Sequence, residues 1–211
     1  MVILIDPGHG SNTKGKQSPI IDKSMDIWSI YTEDDRFKEY LFNRIIADDV
    51  EIVLKAMGYD ARIIVPEHID VSLKERVDRV NRVCNEEGAS NVILVSIHAN
   101  AAGDSSSWMT ARGWECYTTP GQTNSDKLAN CLYNRADEYF KNMKIRKDFS
   151  DGDPDKEANF YIIKNSKCPA VLTENFFYDN KEDLKYMTSD LGHFEIVKTH
   201  VDGIIDYVKN K

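Results

Sequence analysis

Three residues in the 211-residue sequence pair metal-ligand chemistry with matching positions: His9, His98 and Glu174. Each stands at the end of a short apolar run. Val2–Asp6 opens into Pro7-Gly8-His9-Gly10, Asn91–Ile97 leads directly to His98, and Ala170–Thr173 leads directly to Glu174. Runs of this length, rich in β-branched residues, predict strands. In open α/β sheets ligands bind beyond the carboxyl ends of the strands, so three strands bring these side chains to one edge. Two imidazoles and a carboxylate suit a catalytic zinc ion, which keeps one coordination position open. A hydrolase also needs a carboxylate beside that position to move protons. Whether Glu174 is ligand or base, one more carboxylate is therefore required. Glu39 is a candidate, at the start of a helix predicted over 38–57, and Glu33, Asp34 and Asp35 are rivals. A glutamate there would also simply complement the helix dipole.

The segment Gly10-Ser-Asn-Thr-Lys-Gly15-Lys16 offers a competing chemistry, because G-x-x-x-x-G-K after a strand resembles a phosphate-cradling loop. That chemistry needs Ser or Thr next, to hold magnesium, and then a helix facing the phosphate. Gln17 occupies the first place, and Ser18-Pro19 disfavours the helix. Nucleotide hydrolysis is the weaker reading.

The remaining pattern supplies the scaffold. Residues 11–37 read as a long polar loop with at most a helical turn. Phe42, Ile46, Val50, Val53, Leu54 and Met57 recur at helical spacing, and Gly58 supplies the stop. Ala61–Val65 is strand-like. Ser72 with Glu75 is a capping-box pattern ahead of a helix that ends near Gly88. Gly113–Thr119, Asn159–Ile163 and Ala170–Thr173 read as strands, and Ser125–Asn142, Lys181–Met187 and 191–209 as helices. Alternation of this kind predicts an α/β fold: one domain over 1–211, with a mainly parallel sheet and helices on both faces.

Composition narrows the partners. Hydrophobic residues make up 41% and charged residues 29%, with a net charge of -8, so a disordered chain is excluded. That balance argues against the basic face that nucleic-acid binding requires. No apolar run approaches the ~20 residues that span a bilayer, so no membrane insertion is expected. Met1 is followed by apolar residues and Asp6 without a basic stretch or cleavage site, so no signal peptide is expected. The four cysteines are widely spaced and are expected to be free, mostly core thiols. His68 is expected at the surface, and His193 and His200, seven apart on one helical face, are expected to be wetted. Trp28, Tyr31, Trp108 and Trp114 are expected to pack rather than stack on sugars. For Arg76 an intrahelical ion pair is the default and a substrate carboxylate the alternative.

Several segments together resemble a known family. Val2-Ile-Leu-Ile-Asp-Pro-Gly-His-Gly10, Lys38-Glu-Tyr-Leu-Phe-Asn43, Glu75-Arg76 with Asn81, Ser96-Ile-His-Ala-Asn100, Lys156-Glu-Ala-Asn159 and Leu172-Thr-Glu-Asn-Phe-Phe-Tyr-Asp-Asn180 are similar to the zinc-dependent N-acetylmuramoyl-L-alanine amidases of the amidase_3 type. The resemblance runs over the whole chain in the expected order. It implies one Zn2+ ion held by His9, Glu39 and His98, with Glu174 as the catalytic carboxylate. It also implies cleavage of the amide between N-acetylmuramic acid and L-alanine in peptidoglycan or muropeptides. Asn100, Asn159 and Arg76, in the matching segments, are the candidates for substrate contact. Asn175 stands where the family commonly has glycine. A chain made in the cytoplasm would reach the wall after release or by another export route, as a phage-type lysin does.

Overall fold

The computed structural model describes residues 1–25, 27 and 30–211. In its first strand, β1 (Val2–Pro7), alternate side chains enter two different apolar layers: Ile3 and Ile5 join one, Val2 and Leu4 the other. Burial on both faces is why the strand is a continuous apolar run and not an alternating one. A small hairpin of β2 (Thr32–Glu33) and β3 (Arg36–Phe37) precedes α1 (Glu39–Ala56). There follow β4 (Asp60–Ile63), α2 (Leu73–Glu87), β5 (Val92–Asn100), β6 (Glu115–Thr118), α3 (Asn124–Tyr139), β7 (Lys156–Glu157), α4 (Tyr161–Asn165), β8 (Ala170–Phe177), α5 (Lys181–Met187) and α6 (Asp190–Lys209).

The main sheet has the order β4-β1-β5-β8-β6-β7. All neighbours are parallel except β6 and β8. Helices α1, α3 and α6 cover one face, over Ile3, Ile5, Ile93, Val95 and Val171. Helices α2 and α4 cover the other, over Val2, Leu4, Leu94 and Leu172. The predicted mainly parallel α/β fold with helices on both faces is what is observed. Caps fall where expected: Ser72 Oγ accepts from the Glu75 amide, and Thr123 and Asp126 form a capping box on α3.

Four expectations change. Asn159–Ile163 is not a strand; Ile162 and Ile163 lie in α4, and the strand β7 precedes it at Lys156–Glu157. A run that short does not separate strand from helix by period. Residues 11–37 carry the expected helical turn, at Lys23–Met25, but also hold a hairpin. Strands β5 and β8 continue past His98 and Glu174, because ladder pairing does not stop where side chains turn polar. His200 is fully buried, not wetted: its ring bonds Thr173 Oγ1 and the Ile196 carbonyl. The cysteines are free; Cys84, Cys116 and Cys168 are buried and Cys131 half-buried. No described helix is long and apolar enough to cross a membrane.

Candidate metal and catalytic site

The turn after β1 shapes the site. His9 has φ 63°, in the left-handed region that few non-glycine residues occupy. Gly8 leaves room for a neighbour: a Cβ there would stand 2.2 Å from the His98 ring. A Cβ on Gly10 would stand 2.0 Å from the Asp70 backbone nitrogen. Arg76, only 2% exposed, ties this turn down from α2. Its guanidinium donates to Asp6 Oδ1 and to the carbonyls of Pro7 and His9, and also reaches Asp70. Asp6 in turn accepts from Ser96 on β5. From α1, Arg44 also donates to the His9 carbonyl, and Asn43 to that of Gly8.

Glu39 is the first residue of α1 and is 1% exposed. Its Oε1 lies 3.3 Å from His9 Nε2 and 3.2 Å from His98 Nδ1. One ligand atom from each of the three residues falls within 4.8 Å of the others. Four ligands held tetrahedrally at about 2.0–2.1 Å stand about 3.4 Å apart, close to these separations. Glu39 Oε2 is buried and accepts no hydrogen bond; Lys16 Nζ is 3.7 Å away. Burial would raise the Glu39 carboxyl, but hydrogen bonds and charge from His9 and His98 outweigh it and hold the group well below the usual carboxylate range. Burial lowers His9, partly offset by Glu39. Donor types, spacing and a spare acceptor fit a tetrahedral divalent ion.

Glu174 stands beside this group. Residues in register on paired strands share a face, and His98, Glu174 and Glu115 are in register across β5, β8 and β6. Glu174 Oε2 is buried without a partner. Burial, then the charge on Glu39, pushes the Glu174 carboxyl well above its ordinary value, and Lys16 acts against this. The two neighbouring carboxylates are thus shifted in opposite directions, Glu39 down and Glu174 up. A cleft of about 210 Å³ opens alongside, lined in part by His9, His98, Ser72, Leu73 and Ile162.

The structure brings His9, Glu39, His98 and Glu174 together and leaves the rivals elsewhere. Asp34 and Asp35 form the exposed β2–β3 turn with φ of 52° and 55°. Arg76 is neither intrahelically paired nor free for substrate; its donors are spent on Asp6, Asp70 and backbone carbonyls. Asn100 is half-buried, donating to Glu115 Oε1. Asn159 is exposed. Tyr31 and Trp114 are core residues, Trp108 is half-buried under Lys181, and Trp28 lies outside the described residues. Lys16 faces Glu39 in place of a phosphate. His68 is exposed, and His193 pairs with Asp49.

Two residues were missed. Glu115 is buried and meets Arg146, Lys156 and Tyr117. Asn175 donates to the His98 carbonyl and accepts from Trp114 Nε1, locking the backbone of a candidate ligand. The one signal for Asn175 was its departure from the family's glycine.

The sequence profile of the Amidase_3 family, N-acetylmuramoyl-L-alanine amidase, matches residues 3–206. The chain belongs to this family. Membership makes it an amide hydrolase. The endolysin of Bacillus phage SPP1 is 24% identical, over 100% of this chain and 67% of its own length. The N-acetylmuramoyl-L-alanine amidase LytC of Bacillus subtilis is 29% identical, over 98% of this chain but 35% of its own. The crystal structure of the N-acetylmuramoyl-L-alanine amidase from Clostridium difficile 630 superposes with TM-score 0.76 at 27% identity, covering 100% of this chain and 97% of that one. The amidase fold thus extends over the whole chain, whereas LytC is nearly three times as long.

Proposed function

We propose that residues 1–211 form one catalytic domain that hydrolyses the amide between the lactyl group of N-acetylmuramic acid and L-alanine in peptidoglycan. One zinc ion is held by His9, Glu39 and His98, and Glu174 carries the proton. The observation that supports this most directly is the convergence of two imidazoles on one buried carboxylate, with a second carboxylate in register with His98. Zinc in such a set supplies Lewis acidity, which polarises a carbonyl and makes water a nucleophile at neutral pH. Glu174 takes a proton from the attacking water and delivers it to the alanine nitrogen as the C–N bond breaks. His9 and His98 hold the Glu39 carboxyl low, toward the anion that a metal binds. Kinship with a phage endolysin and with a cell wall amidase of Bacillus anthracis supports the wall as the place of action.

Glu174→Gln should keep zinc and lose about 10²–10⁴-fold in turnover. Wild-type turnover in that variant removes Glu174 from its role. On muropeptides the expected product is a new L-alanine amine with every peptide bond intact; cleaved peptide bonds would instead identify a peptidase. In a zymogram a chelator should abolish clearing. Binding to wall without clearing, with metal present, would reduce the chain to a wall-binding module.

A further inference from the structure

At the end of β6 opposite Glu115, three more carboxylates meet. Asp126 is in the first turn of α3, and Asp153 and Asp155 lie in the segment before β7. One oxygen from each falls within 4.8 Å of the others. They are not surface charges: Asp126 is 4%, Asp153 9% and Asp155 1% exposed. Some of their valence is met. Thr118 Oγ1 donates to Asp155 Oδ2, Gln122 Nε2 to Asp153 Oδ2, and the Thr123 amide to Asp126 Oδ2. Oδ1 of Asp153 and Oδ1 of Asp155 remain, both buried and both without any hydrogen-bond partner. Among the described residues no lysine, arginine or histidine is ion-paired with any of the three. Lys156, next in sequence, is turned to Glu115.

Buried acceptors without donors are costly, and buried like charges more so. A hard divalent cation resolves both problems at once. Calcium takes six to eight oxygens at about 2.3–2.6 Å, so oxygens on one ion stand at most about 5 Å apart. The measured spread fits inside that limit. The donor set is all oxygen, with neither sulfur nor imidazole, which separates it from the His9–Glu39–His98 group and disfavours zinc.

We propose that Asp126, Asp153 and Asp155 form a calcium site that ties the segment before β7 to the start of α3 and the end of β6. Water and backbone carbonyls complete the shell. The tied segment also supplies Arg146 and Lys156, which hold Glu115 beside Glu174, so the ion steadies the far wall of the catalytic edge from behind.

The test uses the full chain, saturated with zinc beforehand, and calcium chloride as the probe. Calorimetric titration should show one calcium per chain. Calcium at 100 times its Kd should raise Tm by about 5–10 °C. Asp155→Asn and Asp153→Asn should each abolish both effects. Their signature is a crossover. Without calcium each variant should melt at or above the wild type, since a repelling charge is gone; with calcium it should melt below. Absence of heat and of any Tm change at 10 mM calcium, a concentration about tenfold above the weak end of known calcium sites, overturns the assignment. So do variants that melt lower regardless of calcium, or saturation by magnesium but not calcium.

Discussion

The two carboxylate groups sit at opposite ends of β6 and are built in opposite ways. At the His9–Glu39–His98 end every side chain is fixed by something behind it: Gly8 makes room for the His98 ring, Asn175 holds its carbonyl, and Arg76 ties the His9 turn to Asp6. The buried Glu39 anion already has two imidazoles for company. At the Asp126–Asp153–Asp155 end the chain between α3 and β7 has little regular structure, and two buried oxygens find no donor. A strand, a braced turn and a helix start position these groups before any ion arrives, whereas a loop cluster of like charges relies on its ion for order. Preorganisation of this kind is what catalysis requires of supporting residues.

Removing the supports of the first group tests that contrast. Arg76→Ala strands the buried Asp6 carboxylate and should cost about 3–5 kcal/mol in urea unfolding. A loss under about 1 kcal/mol would mean that the turn is not held from α2. His200 comes next, since it sits neutral beneath Thr173 with its pKa down to about 4 through burial. An unfolded histidine titrates near 6.5. Between pH 6.5 and 4 the unfolded chain therefore binds a proton that the folded chain refuses, and stability falls as pH falls. Over that range the wild type should lose about 3 kcal/mol more than His200→Gln; parallel curves for the two would place the acid sensitivity elsewhere. Asn175→Ala leaves the Trp114 N–H buried without an acceptor and should cost about 2 kcal/mol. It should also weaken zinc binding while leaving calcium binding unchanged. Equal losses at both ions would erase the distinction between the two ends.

Much of the catalytic end was legible because strand ends announce themselves: an apolar run followed by His or Glu points to one edge of a parallel sheet. By spacing Glu39 was one of four acidic candidates; the family resemblance singled it out, and the fold agrees, since Asp34 and Asp35 go to a hairpin turn that the polar 11–37 stretch did not reveal. Arg76 misled because helical spacing favours an i,i+4 partner, while its true partner, Asp6, is 70 residues away. Glu115 was hidden for a related reason. A charged residue in a predicted strand reads as solvent-facing, and its burial depends on Arg146 and Lys156 from a separate stretch. The aspartate group gave no signal: Asp126 belongs to a helix cap, and Asp153 and Asp155 to a polar tract that resembles any solvated loop.

The reversed direction of β6 has a consequence for how the enzyme can diversify. Strands β1, β5 and β8 leave the sheet at the catalytic edge, but β6 enters there, so the connection from Asn100 to Glu115 begins and finishes at that border. That connection is tied to the loop carrying Lys16, where Ser105 Oγ donates to the Gly15 and Gln17 carbonyls, and to the end of β8, where the Ala102 and Gly103 amides donate to Asp179. A change in its length would therefore be felt at the border of the sheet through these anchors and not through a ligand.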